Sequence, residues 1–253
     1  MIKLLKNMEN KKILLASGCS FTFEKWNWPT FVKDELNYDL LNVAMASQGN
    51  GLISKKVIYN VQKLLETYKP EDILVGVMWS GVDRDDFFVE NYEDKGNIDG
   101  WIENPTSIID GQNNWLITNF HWSIPLAKIW YENFHTHTGS MIKTMERILY
   151  TQWFLEKNNI KYFMSSFIDI FHAHGAEYFI TTKEVEYLYK QINFDNFLPV
   201  KGCHEWVKEH YGDKGGFNAP TETGYIGIHP TEFGHKKFSE EVIIPFLKNK
   251  NYI

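Results

Sequence analysis

Cysteine is nearly missing from this chain: there are two, Cys19 and Cys203, among 253 residues. Two cysteines cannot make a disulfide framework, so the fold has to rest on its core, and a reducing compartment suits it. Long apolar runs are also missing. No stretch approaches the roughly 18 to 20 consecutive apolar residues a membrane helix needs, so a membrane is not expected as a partner. The opening Met1-Ile2-Lys3-Leu4-Leu5-Lys6-Asn7-Met8-Glu9-Asn10 is broken by charges and has no small-residue cleavage site. It does not read as a secretory signal, and a cytoplasmic location is expected. Positive charge is not in excess either. Lys and Arg number 26 against 32 Asp and Glu, a net charge of −6. Phosphate backbones are bound through basic surfaces, so nucleic acid is not expected as a partner. No internal repeat or low-complexity tract is visible.

What is present is apolar and aromatic side chain. The sequence is 43% hydrophobic and 16% aromatic with 9 Trp, which supports a sizeable core and argues against disorder. Residues 11–17 form a short apolar stretch ending at Gly18, as expected of a buried strand before a tight turn. Residues 28–36, with Pro29 in the first turn, predict a helix, and 40–43 a second strand. From Leu52 to Tyr68 apolar residues recur at three- and four-residue steps, predicting an amphipathic helix stopped by Pro70. Residues 72–80 are apolar on both faces, the habit of a central parallel strand. A helix over 141–157, a strand over 160–166, helices near 183–191 and 204–210, and a last helix over 231–248 disturbed at Pro245 complete the pattern. Alternating strands and helices predict an α/β fold with helices covering a mostly parallel sheet. Residues 85–139 break the rhythm and are expected to form an aromatic-rich insertion within one domain spanning 1–253.

Two segments could carry chemistry. Ser17-Gly18-Cys19-Ser20-Phe21-Thr22 follows the first strand, where open α/β sheets present ligands and reactive groups. A serine hydroxyl there needs a base to become a nucleophile; the plainer alternative is a turn in which Ser20 caps the next segment. Gly227-Ile228-His229-Pro230-Thr231-Glu232-Phe233-Gly234-His235 precedes the last helix. Pro230 suits a helix start, leaving His229 on the loop before it, free to act as a general base. The plainer alternative is a surface histidine beside a helix.

Together the two segments resemble the SGNH (GDSL-type) hydrolase family. Gly18-Cys19-Ser20 with Phe21-Thr22 is similar to its nucleophile block, with Cys19 in place of the usual Asp. His229-Pro230 with Gly234-His235 is similar to its C-terminal block. The resemblance implies a three-layer α/β/α sandwich in a flavodoxin-like arrangement and hydrolysis of an ester, O-acylated carbohydrate being one substrate class. Ser20 would be the nucleophile and His229 the base. The oxyanion would be held by the Ser20 amide with Ser47 or Gly49 after the second strand and Ser80 after the third, the two middle blocks of the family, which fit less well. The partner implied is a small-molecule or carbohydrate ester, and no metal or organic cofactor is required.

The largest departure is the acid. Ile226 stands three residues before His229, where the family carries Asp. Glu222, Asp213 or a backbone carbonyl would have to orient the imidazole instead. Loss of the acid is the mildest triad defect, about 3 × 10⁴ in rate against about 2 × 10⁶ for nucleophile or base in subtilisin. A Ser-His dyad is therefore tolerable, and a catalytically impaired protein with a glycan-binding or structural role is the alternative. A metal-dependent enzyme built on His135-Thr136-His137 and His172-Ala173-His174, with Glu177, is a third reading. Cys19 could replace Ser20 as nucleophile. Trp101, Trp115, Trp122 and Trp130 could offer flat faces to a sugar, or simply pack the insertion.

Overall fold

A computed structural model describes residues 11–88, 115–118, 125–171, 182–217 and 229–253. Its sheet is built from the most apolar runs. Strands β1 (Ile13–Ser17) and β3 (Ile73–Trp79) are buried along their whole length. They pair in parallel with β2 (Asp39–Asn42) and β6 (Lys161–Ser166) in the order β2-β1-β3-β6. Leu15 stands opposite both Leu41 and Val75, and Val77 opposite Met164. The order begins 2-1-3, as in flavodoxin-like doubly wound sheets.

Alternation along the strands divides the core in two. Leu15, Val75 and Val77 pack with Ile53, Val57 and Val61 of helix α3 (Asn50–Leu64) and with Met145, Ile148 and Leu149 of helix α5 (His137–Lys157). Leu14, Ala16, Leu74, Met78 and Phe163 pack on the other face. There they meet Trp28 and Val32 of helix α2 (Trp28–Leu36) and Val207 of helix α7 (Cys203–Tyr211). The same cluster takes in Phe238, Ile243 and Leu247 from the C-terminal helices. The fold is a three-layer α/β/α sandwich. Gly76 lets the layers close, because a Cβ there would come within 2.7 Å of the Trp28 indole and 2.6 Å of the Phe163 ring.

Some boundaries differ from the sequence pattern. Helix α5 starts at His137, four residues before its apolar periodicity, because the Thr136 hydroxyl caps it by accepting from the Gly139 amide at 3.1 Å. The last helix divides into α8 (Glu232–Phe238), a π turn (Ser239–Ile243) and α9 (Ile244–Asn249). Pro245 has no N–H for an i−4 carbonyl, and the wider turn carries the chain past it without ending the helix. The described residues of the segment expected as an insertion have structure of their own. Strand β4 (Asp85–Phe88) pairs antiparallel with β5 (Trp115–Thr118), followed by helix α4 (Pro125–Asn133). Trp130 donates from Nε1 to Asp85 at 2.8 Å and stacks on Phe134, so it serves packing of this layer. Trp101 and Trp122 lie outside the described residues.

Candidate active site

The sheet delivers the loops after β1, β2, β3 and β6 to one end. Gly18 is required at the first of them: a Cβ would collide with the Thr22 hydroxyl and the Met78 carbonyl oxygen. Cys19 then turns into the core, wholly buried beside Phe21 and Trp28. That burial corrects the reading in which its thiol attacks a substrate. Ser20 is the first residue of the short helix α1 (Ser20–Phe23), so its amide has no partner inside that helix. Asn27 steadies the turn by donating to the Ser20 carbonyl at 2.7 Å. Gln48 Nε2, at 3.1 Å, and the Met45 amide both donate to the Gly18 carbonyl, bracing the β2 loop against the loop that carries Ser20.

His229 arrives from the far end of the sequence. Its loop is pinned on the next residues: the Thr231 amide donates to the Gly216 carbonyl at 2.9 Å and the Thr231 hydroxyl to the Gly215 carbonyl at 2.6 Å. Nε2 of His229 stands 2.7 Å from Ser20 Oγ. The Phe21 ring packs on the imidazole at 4.8 Å between centroids. Burial, and after it the charges of Arg84 and His204, hold the His229 pKa below its ordinary value. The imidazole is therefore neutral at neutral pH, with a nitrogen able to accept the hydroxyl proton. Among the described residues no side chain bonds its Nδ1. Asp213 is exposed in the turn Gly212–Lys214 and does not reach it. Glu222 and Ile226 lie outside the described residues.

Beside the pair is a cavity of about 300 Å³, bordered by Glu24, by the exposed Trp26 and by His235. His235 is 1% exposed, and neither ring nitrogen has a hydrogen-bond partner among the described residues. Burial, with a smaller push from His229, takes its pKa down to about 3.

The expected oxyanion donors are differently disposed. The Gly49 amide donates to Asp86 Oδ1 at 2.9 Å, and Leu52 donates to Oδ2 at 2.8 Å. Gly49 is thus already committed. The Ser80 amide donates to Asn50 Oδ1 at 2.7 Å, and Asn50 Nδ2 returns a bond to the Ser80 carbonyl at 3.1 Å. The Ser80 hydroxyl is buried and has no partner among the described residues. Ser47 holds a left-handed backbone, φ 61°. Asn27, Gln48, Asn50 and Asp86 were not singled out from sequence. The amide-rich run Asn42 to Asn50 after the second strand was the available signal.

The His-x-His readings fare unequally. His135 Nε2 lies 3.1 Å and His137 Nδ1 3.8 Å from Asp83 Oδ1, so both rings turn to one carboxylate. No group of three or more His, Cys, Asp or Glu suited to a metal ion occurs among the described residues. His172, His174 and Glu177 lie outside them. Among the described residues no helix is long and apolar enough to cross a membrane.

Over residues 15–221 the sequence matches a family model described as a family of unknown function, DUF6071. No curated protein matches it. Solved structures similar to the chain include a protein described as lipolytic and of the G-D-S-L family, from Desulfitobacterium hafniense DCB-2. It is 11% identical over 91% of this chain and 97% of that one, with a TM-score of 0.40. The psychrotrophic esterase EstA from Pseudoalteromonas sp. is 11% identical over 96% and 100%, with a TM-score of 0.46. The acetyl xylan esterase Est2A from the rumen bacterium Butyrivibrio proteoclasticus is 12% identical over 96% of this chain and 65% of its own, with a TM-score of 0.43. At these scores the likenesses assign no chemistry to Ser20 or His229.

Proposed function

The chain belongs to the DUF6071 family, whose description assigns no activity, and we propose from its site that it is a serine-dependent ester hydrolase. The observation that carries this reading is the 2.7 Å contact between Ser20 Oγ and His229 Nε2, bridging 209 positions of sequence. Ser20 Oγ attacks the ester carbonyl carbon as its proton passes to Nε2. The tetrahedral intermediate collapses with cleavage of the bond to the alcohol oxygen, which takes that proton from His229. Water, deprotonated by His229, then attacks the acyl-serine and releases the acid and free Ser20.

The negative charge on the carbonyl oxygen falls to the Ser20 amide, the Ser80 hydroxyl and the Ser47 region. Gly49 drops out, because its amide is held by Asp86. The step requires neither metal nor cofactor. Trp26, exposed at the rim of the cavity, offers a flat face of the kind that stacks on a sugar ring, which supports O-acylated carbohydrate as a substrate class. A second reading, a binding protein of impaired activity, is favoured by Ile226 standing three residues before His229 in place of the family's Asp.

A screen of short-chain aryl esters and O-acetylated sugars tests the proposal. Turnover should be lost about 10³-fold or more in Ser20→Ala and in His229→Ala, with little further loss when both are changed, because the two act as a unit. Turnover indifferent to Ser20→Ala would sink it. A folded protein that cleaves no ester but retains the sugars would transfer the site to the binding reading.

A further inference from the structure

The turn after β3 sets one arginine in a run of acids, Asp83-Arg84-Asp85-Asp86. A neighbouring carboxylate is the obvious partner for it, yet each one is turned elsewhere. Asp83 faces His135 and His137. Asp85 accepts from Trp130 Nε1 at 2.8 Å and from Lys143 at 3.4 Å. Asp86 takes the Gly49 and Leu52 amides. Among the described residues Arg84 makes no ion pair, and its Nη1, shielded from solvent, has no hydrogen-bond partner. A shielded cationic N–H without an acceptor is unfavourable until an anionic oxygen meets it.

The position of Arg84 indicates where that oxygen comes from. Its guanidinium lies 5.0 Å over the Phe167 ring. Phe167 packs on Phe21 at 4.9 Å, and Phe21 on His229 at 4.8 Å. This aromatic stack connects the guanidinium to the Ser20–His229 pair, and its charge is felt there, since Arg84 helps depress the His229 pKa. Glu24 borders the cavity on the α1 side of the pair. Arg84 itself lines a smaller cavity of about 60 Å³ with Asp85, Asp86, Lys143 and Arg147, so an anion favoured there and disfavoured beside Glu24 would orient a ligand reaching from one cavity to the other.

We propose that Arg84 is the specificity residue of the site, receiving a carboxylate, phosphate or sulfate carried by the ester substrate. This rests on the hydrolase reading above. The planar guanidinium suits the role, because it meets such groups through two parallel hydrogen bonds. The substrate class narrows accordingly to esters of acidic molecules, among carbohydrates those bearing an anionic group.

Matched esters of similar size test this, one charged and one neutral. Nitrophenyl hemisuccinate against nitrophenyl pentanoate places the charge on the acyl side; 4-acetoxybenzoate against 4-acetoxybenzamide places it on the alcohol side. Wild type is expected to favour the charged member of one pair about tenfold or more in kcat/KM. Arg84→Gln should bring the ratio close to one, and Arg84→Lys should keep part of it. A ratio near one in wild type for both pairs overturns the proposal. So does a ratio that Arg84→Gln leaves intact while both rates fall, which would put the guanidinium on the oxyanion instead.

Calorimetry on Ser20→Ala supplies a readout that needs no turnover. The charged ester should bind more tightly than its neutral partner, and the difference should vanish in Ser20→Ala with Arg84→Gln. Charge-selective binding through Arg84 without any turnover would keep this inference and remove the hydrolase reading. Turnover that depends on Ser20 without charge preference would do the reverse.

Discussion

His229, the base we propose for the site, is an imidazole partly withdrawn from water, and its titration is the most local consequence of the geometry. Burial first, then the charges of Arg84 and His204, lower the His229 pKa. The base form therefore persists to a pH below the ordinary histidine value, and kcat/KM for a neutral ester should fall only on a limb below about 6.5. Arg84→Gln removes a positive charge, favours the imidazolium and raises that pKa, so the limb should move to higher pH. A pH–rate profile of both proteins checks the sign; a limb that stays in place or moves down would mean that Arg84 does not act on His229. Ser20 and His229 stood out as candidates in the sequence because each lies in a short motif at the edge of a clear element, and the structure sets them 2.7 Å apart. The hydrogen bonding of the expected oxyanion donors was not legible there. Whether Gly49 can donate is decided by Asp86, 37 positions further along, and no local pattern announces that bond.

Among the elements, β4 and α3 are joined through one side chain. Asp86 on β4 accepts from the Gly49 and Leu52 amides at the start of α3, satisfying donors that a helix N-terminus leaves free. Burial nevertheless raises its pKa to about 6 against the pull of both amides. Asp86→Ala should cost about 2–3 kcal/mol in urea unfolding, since it leaves two shielded amides without acceptors. Asp86→Asn should cost less, because its amide oxygen can still accept. Equal, small losses for both would show that water already serves these amides. Strands β1 and β3 were readable because burial on both faces leaves an unbroken apolar run. Strands β4 and β5 were not, being four residues each, with β4 partly exposed. The start of α5 was hidden by its polar cap, Thr136, which precedes the apolar periodicity.

Over the chain as a unit, the C-terminal segment packs a histidine where a hydrophobe would be ordinary. Gly234 admits close contact with the Gly216 carbonyl and Val207, and His235 is buried against Phe21 with a ring separation of 6.2 Å. With a folded pKa of about 3, His235 stays neutral where the unfolded chain binds a proton. Stability from this group is whole above about pH 6.5 and is lost towards pH 3, by about 1.4 kcal/mol per unit. Asp86 works in the opposite sense: its folded pKa of about 6 exceeds the unfolded 3.8, so its contribution falls as pH rises between those values. The two should nearly cancel between about pH 4 and 6, leaving a steep loss only below. His235→Phe should make stability rise on acidification over that window. Unfolding curves at several pH values decide it; an unchanged slope would mean that His235 is protonated in the fold. The α/β class was legible from strand and helix order, and the three layers from the family resemblance, whereas this histidine, a motif residue with a packing role, was not.

The most direct test of the account is labelling with a fluorophosphonate, with the modified peptide identified by mass spectrometry. An adduct on Ser20, absent in Ser20→Ala and formed far more slowly in His229→Ala, is the predicted result. An adduct on another residue, or labelling of Ser20 at the same rate without His229, would contradict it.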